Sequence, residues 1–229
     1  MSTRITSDLW AVVPVKLLER TKRRLSPLLS SDEREALACA MLQDVLSALT
    51  RARSLAGLLV ITGDAKAAAI AHTAGAVVLP DTENAGTTAA VTQAAQHLIR
   101  MGRSGMLVIP ADLPSITSSD IDTIAAAHRS APSVTLVPAI ADGGTNALAC
   151  SPPDAIPFCF GDDSLRRHRD AATRRAIEPQ ILMLERIGQD IDRPDDLAMF
   201  LARPSSTQTY ACLVAHGIAE RLKPETLSS

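Results

Sequence analysis

The sequence predicts an α/β fold, a mostly parallel sheet flanked by helices, and three observations carry that prediction. Short apolar runs alternate with longer segments of helical period, the pattern of βαβ units. Several of those runs are almost continuously apolar, as strands covered on both faces require. Aromatic residues are 2% of the 229 residues against 46% hydrophobic overall, so the core between the layers is aliphatic.

Each element follows from its own residues. Leu9–Val15 is the first candidate strand, an apolar run. The segment Asp32–Arg53 reads as a helix because Ser30-Ser31-Asp32 supplies a cap and Leu37, Met41, Val45, Leu46 and Leu49 recur on one face. Strands at Gly57–Thr62 and Ala76–Leu79 bracket a helix at Ala65–Ala74, and a helix at Thr87–Met101 leads to the strand Met106–Pro110. Ser118–Arg129 is the next helix, followed by strands at Ser133–Val137 and Thr145–Cys150. A helix at Asp163–Ala176, a strand at Gln180–Leu184 and a helix at Pro194–Ala202, with proline at its first turn, complete the pattern.

No repeat or linker divides the chain, so residues 1–203 are read as one domain and 204–229 as a tail. Within the tail, Tyr210–Lys223 is an amphipathic helix expected to dock on the body or on a partner subunit, which makes a homodimer one expectation. The 23 basic residues against 25 acidic ones give a net charge of -2, and one Trp, one Tyr and three Phe leave no stacking platform. Nucleic acid is therefore not an expected partner. Cys39, Cys150, Cys159 and Cys212 lack metal-site or disulfide-framework spacing, and no run approaches a signal core or a membrane span. A reducing cytoplasm is the expected compartment.

The phosphate loop GxxxxGK[ST], the GxGxxG fingerprint, the GxSxG elbow and the HExxH zinc motif are all missing. After the first strand come Pro14, Val15 and Lys16, then Arg20, Lys22, Arg23 and Arg24, five cations in an expected loop at a strand's carboxyl end. Ligands bind there in open α/β sheets, so phosphate binding stands beside the alternative of a solvated charged face. In Met106–Pro114 a buried strand ends in Asp112 between two prolines. A carboxylate at that edge suits Mg²⁺, the alternative being a helix cap that Ser118 and Ser119 already supply. Asp192 precedes a helix and is free to face the same metal, whereas Asp195 and Asp196 read as first-turn acids favoured by the helix dipole. The Asp142-Gly143-Gly144-Thr145-Asn146 loop and the Phe160-Gly161-Asp162-Asp163-Ser164 turn offer backbone and hydroxyl donors to an anion. His168, one turn after Ser164, reads more readily as a satisfied surface histidine than as an anion ligand.

Taken in order, Pro14-Val15-Lys16, Lys22-x-Arg24-Leu25, Asp44-Val45-Leu46, Ala111-Asp112-Leu113-Pro114, Asp142-Gly143-Gly144-Thr145-Asn146-Ala147-Leu148, Phe160-Gly161-x-x-Ser164-x-x-x-His168 and Asp190-Ile191-Asp192-x-Pro194-x-Asp196-Leu197 resemble the phospholactate guanylyltransferase family of coenzyme F-420 biosynthesis. That family includes 2-phospholactate, phosphoenolpyruvate and 3-phosphoglycerate guanylyltransferases, on a fold similar to molybdenum-cofactor guanylyltransferases. The resemblance implies a Rossmann-like nucleotidyltransferase, a GTP-dependent guanylyltransferase that joins GTP to a small phosphorylated carboxylic acid and releases pyrophosphate. It further implies that Pro14, Lys16, Lys22 and Arg24 bind the nucleotide, that the three cations among them grip its triphosphate and with Asp112 form the catalytic set, that Asp112 and Asp192 hold Mg²⁺, and that Thr145, Gly161 and Ser164 hold the acceptor. Where the family shows Gly-Leu-Asn after the third strand, this chain has Gly86-Thr87-Thr88, with Gly86 serving the turn and Thr88 standing in for the asparagine at the nucleoside. A sugar- or molybdopterin-type nucleotidyltransferase and a non-catalytic GTP-binding module are the alternatives, and the first is disfavoured because no glycine-rich loop follows the first strand.

Overall fold

A computed structural model describes residues 8–140 and 143–222, so Asp142 of the glycine loop and Lys223 of the tail lie outside the described residues. The chain runs β1 (Leu9–Val15), α1 (Ser31–Arg51), β2 (Leu55–Thr62), α2 (Ala65–Thr73), β3 (Val77–Pro80), α3 (Thr87–Arg100), β4 (Gly105–Val108), α4 (Ser118–Ala127), β5 (Ser133–Pro138), β6 (Thr145–Ser151), α5 (Ser164–Arg174), β7 (Gln180–Ile181), α6 (Glu185–Gly188), α7 (Pro194–Leu201), α8 (Gln208–Ala215) and α9 (Ile218–Arg221). One sheet carries the strands in the order β3-β2-β1-β4-β6-β5-β7. All pairings are parallel except those of β6, which runs antiparallel between β4 and β5.

Alternation along the strands divides the core in two. Ala11 and Val13 of β1 join Leu37, Met41 and Val45 of α1, while Trp10 and Val12 join Val91, Ala94 and Leu98 of α3 on the opposite face. Each fully buried leucine adds roughly 1.5–3 kcal/mol, so both helix layers are held mainly by aliphatic burial. Local signals set where the helices begin: Ser30 and Glu33 form a reciprocal capping box before α1, and the Asp64 carboxylate accepts from the Lys66 and Ala67 amides before α2.

Three elements differ from their sequence reading. The strand expected at Gln180–Leu184 spans Gln180–Ile181; Leu182 donates one further amide to the Leu136 carbonyl, and the chain then turns into α6. Arg186 of α6 makes a two-pronged pair with the buried Asp120 carboxylate of α4, which draws the chain off the sheet edge. The strand expected to reach Pro110 ends at Val108, although Ile109 still donates to Val12, because Pro110 has no amide to continue the ladder. The single tail helix is two, α8 and α9, broken at Gly217 with φ +63°.

That tail packs on its own chain. Leu213 and Ile218 enter the same buried cluster as α1, and the Asp44 carboxylate of α1 accepts from the Gln208 and Thr209 amides at 2.8 Å each. Among the described residues no helix is long and apolar enough to cross a membrane.

Chain direction reverses its drift across the sheet at β1, since β2 and β3 lie to one side and β4 to the other. Ligands of open α/β sheets bind outside the strands' carboxyl ends at such a point. Because β6 is reversed, its first residues, Thr145 and Asn146, reach that same edge.

Candidate active site

Beside the end of β1 is a cavity of about 280 Å³ lined by Pro14, Lys16, Arg20, Asp81, Asn84, Gly86 and Thr87. Gly86 stands at the start of α3 with φ +96°, a conformation side chains rarely adopt, so its turn requires glycine for the backbone alone. The Asp81 carboxylate accepts the Asn84 amide at 3.0 Å. Thr88, expected at the nucleoside, does not line the cavity. Its hydroxyl accepts the Phe160 amide at 3.0 Å and ties α3 to the loop before α5, while Thr87 faces the cavity instead.

The basic run after β1 is not an open loop but two single 3-10 turns, Leu18–Arg20 and Arg23–Leu25, anchored by buried Leu18 and Leu25. Lys22 joins them in the left-handed conformation, φ 54°. This corner turns its side chain inward: Lys22 Nζ is 2.7 Å from Asp112 Oδ2 and 3.7 Å from Asp192 Oδ1, and the side chain is 6% exposed. Arg24 pairs with the other oxygen of Asp192. The two cations expected to reach out for phosphate are thus engaged with the two carboxylates expected to hold a metal. An ammonium sunk this far from water needs anionic partners, and these are the nearest. Burial, the largest single influence, would lower the Lys22 pKa, but the charge and hydrogen bond of Asp112 together with the charges of Asp192 and Asp190 outweigh it, and the value is raised.

Asp112 and Asp192 are brought together by backbone as well as charge. The Ile191 amide donates to the Asp112 carbonyl at 3.3 Å, and Asp196 accepts from the Asp192 and Arg193 amides at 2.9 and 2.7 Å. Asp196 is therefore the cap of α7, as its first-turn position suggests. Among the described residues no three His, Cys, Asp or Glu side chains form a closed metal cage. Two carboxylates meeting on one cation at an open edge suit a hard divalent ion that keeps water and takes further ligands from a substrate.

On the far side of β4 the polar groups are neutral. The Ser164 hydroxyl donates to Thr145 Oγ1 at 3.2 Å, and His168 Nδ1 lies 3.0 Å from the same oxygen. Gly161, φ +109°, is exposed, and its carbonyl accepts the Ser164 amide at 3.1 Å. The Leu165 amide is taken by the Gly143 carbonyl, so the start of α5 fixes both glycine loops together. His168 is not a surface residue. It is fully buried, and its Nε2 accepts the Cys159 amide at 3.0 Å.

The chain matches the family model described as "Guanylyl transferase CofC like" over residues 9–227. It belongs to that family. The chain is accordingly a guanylyltransferase, an enzyme of the nucleotidyltransferase class. Among curated relatives, a 3-phospho-D-glycerate guanylyltransferase of Colwellia psychrerythraea is 40% identical over 198 residues, covering 86% of this chain and 93% of that one. A phosphoenolpyruvate guanylyltransferase of Roseiflexus sp. is 38% identical over 197 residues, covering 86% of each. A solved structure assigned as a nucleotide-diphospho-sugar transferase, from Desulfovibrio desulfuricans, matches at TM-score 0.75 and 18% identity, covering 96% of this chain and 100% of that one. A 4-diphosphocytidyl-2C-methyl-D-erythritol synthase matches at TM-score 0.60 and 12% identity, covering 84% and 96%. At those identities the two structures speak for the fold.

The same edge holds Asp81, to which sequence reasoning gave no role, and Asp190 and Asn146, which it quoted in motifs without a role of their own. Asp190 is half-buried, and burial, then the Asp112 charge, raise its carboxyl above the ordinary value. Asn146 bridges it to the α6 turn, donating to the Ile187 carbonyl at 2.9 Å and to Asp190 Oδ1 at 3.4 Å. Asp81 had a readable signal: like Asp112, it closely follows a strand-ending proline. Asp190 had none apart from its neighbours, since only the fold shows that it points inward.

Proposed function

We propose that this guanylyltransferase condenses GTP with the phosphate of a small phosphorylated carboxylic acid, either 3-phosphoglycerate, phosphoenolpyruvate or 2-phospholactate, as a cytoplasmic step in making coenzyme F-420. One observation carries the reading: Asp112 and Asp192, 80 residues apart, meet on a single cation between the cavity at β1 and the hydroxyl pair at β6. The names of the relatives support the acceptor class.

An acceptor phosphate oxygen attacks the α-phosphorus of GTP; that O–P bond forms as the bond to the β-phosphate oxygen breaks, and pyrophosphate leaves. The attacking phosphate is already ionised, so no general base is required, and the chain's task is to align two polyanions and offset their charge. The cavity of Pro14, Lys16 and Gly86 receives the nucleotide, with Lys22 and Arg24 at its phosphate end. Thr145, Ser164 and the Gly161 turn receive the acceptor on the other side of β4. Mg²⁺, for which Asp112 and Asp192 are the proposed ligands, would supply Lewis-acid charge to the phosphate oxygens.

The test is pyrophosphate release from GTP and Mg²⁺ with each of the three acids in parallel, each product being weighed by mass spectrometry. A guanosine diphosphate ester from at least one acid is expected. No release with any of them, alongside measurable GTP binding, overturns the acceptor assignment.

A further inference from the structure

His168 is a fully buried titratable group at the site for which the reaction above has no use. Its two nitrogens are placed differently. Nε2 faces the Cys159 backbone amide at 3.0 Å, and an amide can only donate. Nε2 must therefore be the bare nitrogen. The ring is neutral, because burial first and the Arg167 charge second hold its pKa down to about 4. A neutral ring that is bare at Nε2 carries its proton on Nδ1, and Nδ1 donates to Thr145 Oγ1 at 3.0 Å.

That assignment fixes the polarity of the next two groups. Thr145 and Ser164 own two hydroxyl protons, and the 3.2 Å bond between them uses one. If His168 donates, the other remains for a ligand, whichever hydroxyl finally carries it. With the opposite tautomer, Thr145 would give its proton to Nδ1 and Ser164 would give its own to Thr145, leaving none. The same ring suspends the Cys159 end of the loop, next to Phe160, whose ring meets His168 edge-on at a centroid distance of 5.0 Å.

We infer that His168 is a positioning residue for acceptor binding: its locked Nδ1–H form leaves the Thr145–Ser164 pair with one proton to give, which sets that pair to hold an anionic oxygen. This rests on the reading that these hydroxyls receive the acceptor. His168→Leu removes the donor, whereas His168→Asn keeps an N–H where Nδ1 stood.

Steady-state rates of pyrophosphate release are measured for the wild type and both variants with the best acceptor. The expected result for His168→Leu is an acceptor KM raised about 10- to 100-fold, with kcat and the GTP KM within about threefold, and His168→Asn recovers most of the acceptor KM. An unchanged acceptor KM in His168→Leu overturns the inference, as does an equal loss in the GTP KM. Nitrogen-15 spectra of the wild-type imidazole read the tautomer directly, even where the leucine variant does not fold. A proton on Nδ1 at pH 7 is expected, and one on Nε2 or on both nitrogens overturns the inference. Wild-type silence with every acid would instead defeat the functional reading, leaving the tautomer result to stand alone.

Discussion

Around Lys22 the active-site edge gathers charge, and around His168 it gathers neutral donors. In the first region Lys22, Arg24, Asp112 and Asp192 offset one another, with Arg24 exposed to salt and solvent. In the second, Thr145, Ser164 and His168 are buried, and their polarity is set by one backbone amide. A charge-paired region can exchange partners when a polyanion or a cation arrives, because each ion is held by attraction that another ion can replace. A neutral network cannot exchange partners in that way, since its proton directions are fixed before any ligand comes. On the proposed assignment, the nucleotide side is therefore built to respond and the acceptor side to be ready in advance.

The largest expected break in that contrast is Asp112→Asn. Removing the carboxylate takes away one side of the proposed cation site and the nearest partner of Lys22, so guanylyl transfer falls about 10³-fold, comparable to losing a preorganised charge at a transition state. Pyrophosphate release measures this, and a variant with more than a tenth of wild-type turnover would dismiss Asp112 from the chemistry. Lys22→Met comes next. Turnover drops about 10²-fold with the acceptor KM little changed, since the substitution empties only the charged region of its buried cation. Separate titrations of GTP and acceptor test that split.

Acid should affect the dry side instead. His168, and His128 at the opposite end of β6, between Thr135 Oγ1 and Ser151 Oγ, are both held neutral by burial down to about pH 4, against an ordinary value of 6.5. The unfolded chain takes up these protons first. Stability is therefore full above about pH 6.5 and is lost as pH falls from there toward 4, by on the order of 2 kcal/mol for each histidine at pH 5. Urea unfolding at pH 7.5 and pH 5 measures it, and His128→Leu should remove about half of the difference. The smallest effect is Asp44→Ala, which uncaps α8 far from both regions. It costs about 1 kcal/mol in thermal unfolding and leaves all kinetic constants in place.

The alternation of apolar runs with helical periods made the layers legible, because a strand buried on both faces shows its burial in its composition. The interruption at β7 was not legible, since it depends on Arg186 reaching an aspartate 66 residues away. The same distinction runs through the site. Asp112 could be picked out between its prolines, because a carboxylate beside a buried strand is locally out of place. Lys22 could be picked out as a cation but not as a partner, for its contact with Asp112 spans 90 residues. His168 was misread as a surface residue because α5 is strongly amphipathic with a charged face, and only packing beneath the Phe160 loop decides which face the ring takes. Thr88 and Thr87 are adjacent and chemically alike, so nothing in the sequence could tell which one meets the cavity.

The reversed direction of β6 has a consequence for how this scaffold can be altered. β1, β2, β3 and β4 each deliver the chain into a connection that goes on to form a helix, so changing its length displaces a layer. Between β5 and β6 no helix intervenes among the described residues, and the Ala139 amide on the Gly144 carbonyl closes the antiparallel pair. That closing bond and the pairing of Thr145 with Pro138 set the register of β6 without any helix layer having to move. The β5–β6 connection is thus the one place along this edge where redesign can begin without repacking a helix layer against the sheet.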